Sequence, residues 1–223
     1  WGVELIANGQ VFRESASFLA EPIATNAPYN GVTLITHGFD LAVTEGDVPF
    51  QQPAQFMALA AMIAEASGGG VVLSYNRVTG EWVDRKTGAV GAAALQAGKA
   101  VVLVADWSKE SDISDSGFSE AAADAMFASL LSLDRDTGND LLNSPLHLIG
   151  HSRGTVVNSE IVQRLGWWLP ELTDVHMTTL DPHDFGQDSL EVPIESAIDW
   201  AQFGINAAIL ASVLLGPAAP AVI

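Results

Sequence analysis

The sequence PLHLIGHSRGTVVNSE, residues 145 to 160, places a serine between two glycines where an apolar run changes to a helical pattern. The residues before Gly150 are typical of a buried strand, and those after Gly154 have helical spacing. G-x-S-x-G between a strand and a helix is typical of a nucleophilic serine, here Ser152, because side chains at the two glycines would collide with neighbouring elements. Such a turn presents the serine Oγ at a helix N-terminus, where backbone N–H groups can bind an oxyanion. A surface loop with the same motif is the alternative, and the flanking elements favour the nucleophile.

Two other predicted strands end in residues that can take part in proton transfer. His37-Gly38-Phe39 closes one apolar run, and Asp181-Pro182-His183-Asp184 closes another. The carboxyl ends of parallel strands lie at one edge of a sheet, so both groups are expected near Ser152. A serine, a histidine and a carboxylate are the groups that nucleophilic acyl transfer uses.

Strand and helix patterns alternate along the chain, and this order positions the strand ends. Strands are predicted in five apolar runs: 32–39, 71–76, 100–108, 146–150 and 174–181. Helical spacing occurs between them in residues 53–67, 119–133 and 155–169, while residues 1–24 predict a hairpin around Asn8-Gly9. The order predicts an α/β fold with a mostly parallel sheet and helices on both faces, in one domain over residues 1–223.

Four stretches, taken in order, resemble the pancreatic-lipase-type branch of the α/β-hydrolases: THGF (36–39), VADWSKES (104–111), LHLIGHSRG (146–154) and TTLDPHD (178–184). With the elements that join them, the resemblance covers roughly residues 30–185. It implies an α/β-hydrolase fold and hydrolysis of carboxylic esters through an acyl-enzyme, with no metal or organic cofactor. The matching position makes Asp181 the acid of the triad, and the backbone N–H groups of Phe39 and Arg153 form the oxyanion hole. The family more often has an apolar residue at position 153, so a guanidinium is expected beside the acyl pocket.

The chain departs from the family at the histidine, which the family places well beyond the acid. No histidine follows His183, and only 40 residues remain after it. We expect His37 to hold the oxyanion loop by hydrogen bonds and His151 to point away from the serine. Two more histidines lie inside predicted strands: His147 and His176. His183 is therefore the base by elimination, two residues past Asp181. The alternative is a base in a C-terminal portion that this sequence lacks, which would leave the fold C-terminally incomplete.

The charge balance excludes one class of partner. The 223 residues include 27 acidic and 9 basic ones, for a formal net charge of −18, which repels phosphate backbones, so nucleic acid is not an expected partner. No cysteine is present, which excludes disulfides and thiolate metal sites. The chain starts at Trp1 without a charged-then-apolar leader. These features favour an extracellular protein in a processed or excised form.

Three further features allow both a structural and a functional interpretation. Asp134, Asp136 and Asp140 resemble the start of a calcium loop without its closing glutamate, so a solvated turn is expected and no metal site. The apolar C-terminal segment 198–223 is too interrupted to span a bilayer; a core or lid helix is expected, and contact with a lipid interface is the alternative. Four tryptophans are expected in the core, with an acyl pocket as the alternative: Trp82, Trp107, Trp167 and Trp168.

Together these patterns predict a serine carboxylester hydrolase, a lipase or esterase, that acts on a small-molecule or lipid ester. Its catalytic residues are Ser152, Asp181 and His183. A non-catalytic, hydrolase-like binding module of a larger secreted protein is one alternative, favoured by the absence of any histidine after His183. An amidase or peptidase with the same residues is the other, and only a substrate panel separates it from an esterase.

Overall fold

The computed structural model describes residues 3–7, 10–14, 28–39, 48–111, 117–172 and 174–182. The first of these form a two-stranded antiparallel hairpin, β1 (Val3–Ala7) with β2 (Gln10–Glu14). Ala7 pairs with Gln10, so the two strands are joined by the Asn8-Gly9 dipeptide that the sequence indicated.

A six-stranded sheet is the centre of the fold. Its strands are β3 (Val32–Thr36), β4 (Gly70–Asn76), β5 (Glu81–Val83), β6 (Ala100–Val104), β7 (Leu146–His151) and β8 (Val175–Leu180). They lie in the order β5-β4-β6-β3-β7-β8, and every pairing is parallel except that of β4 with β5. The prediction of an α/β fold with a mostly parallel sheet is confirmed.

Helices cover both faces of this sheet. They are α1 (Ala54–Ala66), the short α2 (Ser108–Ser111), α3 (Phe118–Asp136) and α4 (Gly154–Trp168). Adjacent residues of a strand point to opposite faces, so Ile35 packs in a cluster with Phe56 of α1, whereas Leu34 packs in the larger cluster with Met126 of α3 and Ile161 of α4. None of the described helices has the length and apolarity that crossing a bilayer requires.

The sheet grows in two directions from β3, so the strand order reverses at this strand. After β3 the chain crosses through α1 to reach β4 and then β6 on one side. It then crosses through α3, on the opposite face, to place β7 on the other side of β3. The segments after β3 and β7 therefore leave towards opposite faces, which is the arrangement that forms a ligand crevice in open α/β sheets.

Candidate active site

Ser152 lies on the sharp turn between β7 and α4 in the left-handed backbone conformation. Its φ is 50°, which residues other than glycine rarely adopt. Its N–H donates to the carbonyl of Leu180 at 2.9 Å, and its own carbonyl accepts from the N–H and hydroxyl of Thr155 at 2.9 and 2.7 Å. These bonds on both sides hold the strained residue, as in the nucleophile turn that the motif predicts.

The two glycines of the motif let this turn pack directly on neighbouring backbone. A Cβ at Gly150 would lie 2.7 Å from the Cα of Thr155, and a Cβ at Gly154 would overlap the carbonyl oxygens of Thr36 and His37. Contacts that close force the backbone apart. The predicted reason for both glycines, collision of any side chain with neighbouring elements, is confirmed.

The loop after β3 packs directly against the side chain of Ser152. A Cβ at Gly38 would lie 2.6 Å from Ser152 Cβ and 3.1 Å from Ser152 Oγ, so the backbone of Gly38 faces the serine side chain. Ser152 is only 2% exposed. The loop that the resemblance assigns to the oxyanion hole and the candidate nucleophile thus lie side by side.

His37 holds this loop through its ring and its carbonyl. The N–H of Trp107 donates to His37 Nε2 at 3.4 Å, which leaves the ring proton on Nδ1, where it donates to the carbonyl of Gly38 at 2.8 Å. The indole Nε1 of Trp107 donates to the His37 carbonyl at 2.7 Å. The expectation that His37 holds the loop by hydrogen bonds is confirmed, and its engaged ring is not at the serine.

A buried carboxylate that was not predicted from the sequence, Asp106, stabilises the turn beside the His37 loop. Asp106, directly after β6, accepts from the N–H of Gln51 at 2.6 Å and from the N–H and hydroxyl of Ser108 at 3.2 and 2.9 Å. The Ser108 hydroxyl also lies 3.4 Å from His37 Nε2. The sequence pattern that could have identified Asp106 is an aspartate two residues before a serine at a strand end, which is typical of a turn stabilised by side chains.

The side chain of Arg153 is buried instead of facing an open pocket. Its Nη1 donates to the carbonyl of Ser111 at 2.7 Å, and its Nη2 reaches the hydroxyl of Ser119 at 3.5 Å. The guanidinium also lies 5.6 Å from the centre of the Trp107 ring. The guanidinium thus ties the serine turn to α2 and α3, and its position relative to an acyl pocket stays a prediction.

Asp181 follows β8 level with the serine turn, as the resemblance predicts for the acid. The strand register pairs Leu180 with His151, and Asp181 itself has a left-handed φ of 47°. Its side chain is exposed and has no hydrogen-bond partner among the described residues. His151 packs against Phe56 at 5.6 Å between ring centres; burial holds the pKa of His151 below its usual value, and the nearby charge of Asp181 opposes this shift.

The strand histidines are engaged away from the serine. His147 Nε2 lies 2.8 Å from the hydroxyl of Thr178 on β8. Burial, and then the neighbouring His176, lower the pKa of His147. His176 Nε2 lies 3.2 Å from the carboxylate of Asp174. Within the part of the chain that the structure describes, no histidine hydrogen-bonds to Ser152.

His183 and the apolar segment 198–223 lie outside the described residues. The assignment of His183 as the base therefore stays a prediction, as do the lid and lipid-interface interpretations of the segment.

The tryptophans divide into two pairs. Trp82 and Trp107 are buried in the core, as expected. Trp167 and Trp168, at the end of α4, are 83% and 67% exposed. Since α4 begins at the carboxyl edge of the sheet and leads back to the start of β8, this second pair lies at the edge opposite Ser152, so neither the core nor an acyl pocket explains it.

The acidic residues in the last turn of α3 and in the turn after it differ in their burial. Asp134 is buried and accepts from the N–H of Leu142 at 2.8 Å, and burial raises the pKa of its carboxyl. Asp136 and Asp140 are exposed, as expected for a solvated turn. Across the described ranges, no group of three or more potential ligands is placed to hold a metal ion.

Comparison of the chain with protein-family models, with curated proteins and with solved structures gives no match. The function of the chain is therefore inferred from the geometry of the site and from the chemistry of its residues.

Proposed function

We propose that the chain is a serine carboxylester hydrolase, a lipase or esterase with an α/β-hydrolase fold. The observation that carries the proposal is the left-handed Ser152 at the turn between β7 and α4, with the backbone of Gly38 against its side chain. Holding a non-glycine residue in this conformation costs about 1–3 kcal/mol, and such strain is concentrated where a side chain has to be aimed. The reversal of the strand order between β3 and β7 supports the same interpretation, because ligands of open α/β sheets bind at such reversals.

The proposed reaction has two steps of acyl transfer. Ser152 Oγ attacks the ester carbonyl carbon while its proton passes to a histidine, and the carbonyl oxygen takes the negative charge. The N–H groups of Phe39 and Arg153 hold that oxyanion, and the N-terminus of the 15-residue α4 adds positive potential. The intermediate expels the alcohol, which takes the proton from the histidine. Water, deprotonated by the same histidine, then attacks the acyl-serine; the second intermediate releases the carboxylic acid as the histidine returns the proton to Ser152 Oγ.

We assign the base to His183 and its orienting carboxylate to Asp181. Support comes from elimination, since the other four histidines contact groups away from the serine hydroxyl. Asp181 stands at the correct edge of the sheet, one position past the residue that pairs with His151. An acid and a base two residues apart depart from the family pattern, so this pair is the part of the proposal that most needs a direct test.

The proposed substrate is a small-molecule or lipid ester, and the reaction needs no cofactor. An extracellular location is proposed from the acidic, cysteine-free composition. A non-catalytic binding module is the second candidate, because neither Ser152 Oγ nor the Asp181 carboxylate has a hydrogen-bond partner in the described ranges. Such a module would keep the turn and lose proton transfer.

The test is hydrolysis of p-nitrophenyl acetate, butyrate and decanoate, with the matching anilides to detect amidase activity. We expect ester turnover that Ser152→Ala lowers by about 10⁴-fold or more. His183→Ala should lower it to a similar extent, whereas His176→Ala, which removes an exposed histidine paired with Asp174, should not.

The pattern of losses decides between the candidates. Activity that survives His183→Ala but not Ser152→Ala would contradict the assigned base and keep the nucleophile. No turnover above the Ser152→Ala background, by a chain with cooperative thermal unfolding, would contradict the hydrolase and support the binding module.

A further inference from the structure

A cleft of about 550 Å³ opens at the carboxyl ends of β4 and β6, beside α3. Its lining includes Tyr75, near the end of β4, and Asp106, after β6. Trp107 also lines the cleft, and its indole Nε1 donates to the carbonyl of His37. The volume is within the range of sites that bind small organic molecules. No residue of the cleft is among those proposed for ester hydrolysis.

Two cations line this cleft in a strongly acidic chain. Arg77 follows β4 and Lys109 lies on α2, and together they are two of only nine basic residues against 27 acidic ones. Neither forms an ion pair within the described part of the chain. Arg77 Nη1 is buried and has no hydrogen-bond partner there. A buried guanidinium nitrogen without a partner is uncommon in proteins, and a bound water or a polar ligand is the usual explanation.

Asp106, the one carboxylate among the described residues that line the cleft, does not neutralise these cations. Asp106 uses its oxygens for the N–H of Gln51 and for the N–H and hydroxyl of Ser108. Its charge therefore stabilises a turn of the protein. The described lining therefore has two cations and one anion, and protein donors already hydrogen-bond to that anion.

The rest of the wall is apolar. Val78 is 52% exposed, and the helix side presents the exposed Ala121 and Ala125, whereas Ala122 and Met126 of the lining are buried in the core. An exposed valine next to small aliphatic side chains gives a surface that an alkyl or aryl group can cover, with a gain from removing apolar area from water. The cleft thus pairs a cationic end with an apolar side.

We propose that this cleft binds a monoanionic amphiphile, a carboxylate with a short alkyl or aryl body. Arg77 and Lys109 bind the carboxylate, since a guanidinium matches its two oxygens, and the body lies along Val78 and the α3 side chains. A single negative charge suits the cleft because the net charge of −18 opposes multiply charged ligands. The proposal does not rest on Ser152, so it and the hydrolase proposal can fail separately.

The test is isothermal titration of the full chain with octanoate. We expect one saturable site, and Arg77→Met should weaken binding about tenfold or more because a charge-assisted contact is lost. Arg135→Met is the matched control, since it removes the same charge from an exposed arginine in the last turn of α3. Acetate and octan-1-ol, which lack the body and the charge respectively, should each bind at least about tenfold more weakly than octanoate.

Two further variants keep the test decisive if Arg77→Met unfolds. Lys109→Met changes an exposed residue and should weaken octanoate, while Ala125→Phe should block the cleft for octanoate. Ser152→Ala should bind octanoate as the unmodified chain does. Absence of a saturable site, or equal weakening by the cleft variants and Arg135→Met, would overturn the proposal.

Discussion

Two glycines of α4 provide a matched test of the contact between the serine turn and the β3 loop. Both Gly154 and Gly166 are helical, so alanine should improve helix formation at each. At Gly166 the added Cβ meets no atom within 4 Å. At Gly154 it would overlap the carbonyl oxygens of Thr36 and His37. The same substitution in the same helix should therefore have opposite effects.

The size of the difference follows from the two environments. Gly166→Ala should stabilise the fold by about 0.5–1 kcal/mol. Gly154→Ala should destabilise it by about 1–3 kcal/mol, the usual cost of overpacking. The His37 carbonyl has little freedom to withdraw because Trp107 Nε1 donates to it at 2.7 Å. The two variants should differ by about 1.5–4 kcal/mol in the free energy of unfolding, or by at least about 3 °C in Tm for a domain of this size.

Urea unfolding followed by tryptophan fluorescence measures this difference directly. The same preparations report on the site, since Gly154→Ala should also lower kcat for p-nitrophenyl butyrate by about 10²-fold by displacing the loop from the serine turn. Gly166→Ala should leave kcat unchanged. If Gly154→Ala unfolds at the same urea concentration as Gly166→Ala, the loop and the turn are not in contact in solution, and the geometric argument for the nucleophile is refuted.

Three other substitutions test separate parts of the structure. Trp107→Phe removes the hydrogen bond to the His37 carbonyl and should lower the free energy of unfolding by about 1–3 kcal/mol, as measured by urea unfolding. The raised pKa of Asp134 means that the folded carboxyl loses its proton at higher pH than the unfolded one, so ionisation costs stability above pH 3.8. Asp134→Asn should therefore raise Tm at pH 7, and the gain should vanish in Tm scans carried down to pH 3.8. The pKa of His147 is lowered in the folded state, so the unfolded chain binds the proton first as pH falls below 6.5, and the folded state loses stability over that range. His147→Gln should flatten the loss of Tm between pH 6.5 and 5, and an unchanged slope would contradict the assignment.

The sheet and the serine turn could be predicted because each depends on local sequence. A strand buried on both faces reads as a continuous apolar run, as in residues 100–104. The turn is encoded by Gly150, Ser152 and Gly154: Gly150 is limited in size by the start of α4, and Gly154 by the backbone at the end of β3. The strand order could not be predicted, since nothing in β4 or β6 specifies which of them lies beside β3.

Contacts between distant segments account for what the sequence did not indicate. Arg153 donates to a carbonyl 42 positions earlier, and without that partner a guanidinium is expected at the surface. Asp106 is similar, because its partner Gln51 lies 55 positions away. The exposed Trp167 and Trp168 show the converse error, in which large aromatic side chains were assigned to the core by residue type alone.

The contacts that position Ser152 are separate from the residues proposed to transfer its proton. Buried hydrogen bonds stabilise the turn. In one of them Thr36 Oγ1 donates to Asn158 Oδ1 at 2.7 Å, and in another Arg153 Nη1 donates to the Ser111 carbonyl at 2.7 Å. None of these contacts involves the base or Asp181, so removing His183 should leave the geometry of Ser152 unchanged. A His183→Ala chain that unfolds like the unmodified protein but fails to turn over esters would therefore locate the loss in proton transfer alone. The same variant with lowered stability would instead show that His183 supports the fold, and the elimination that made it the base would lose its force.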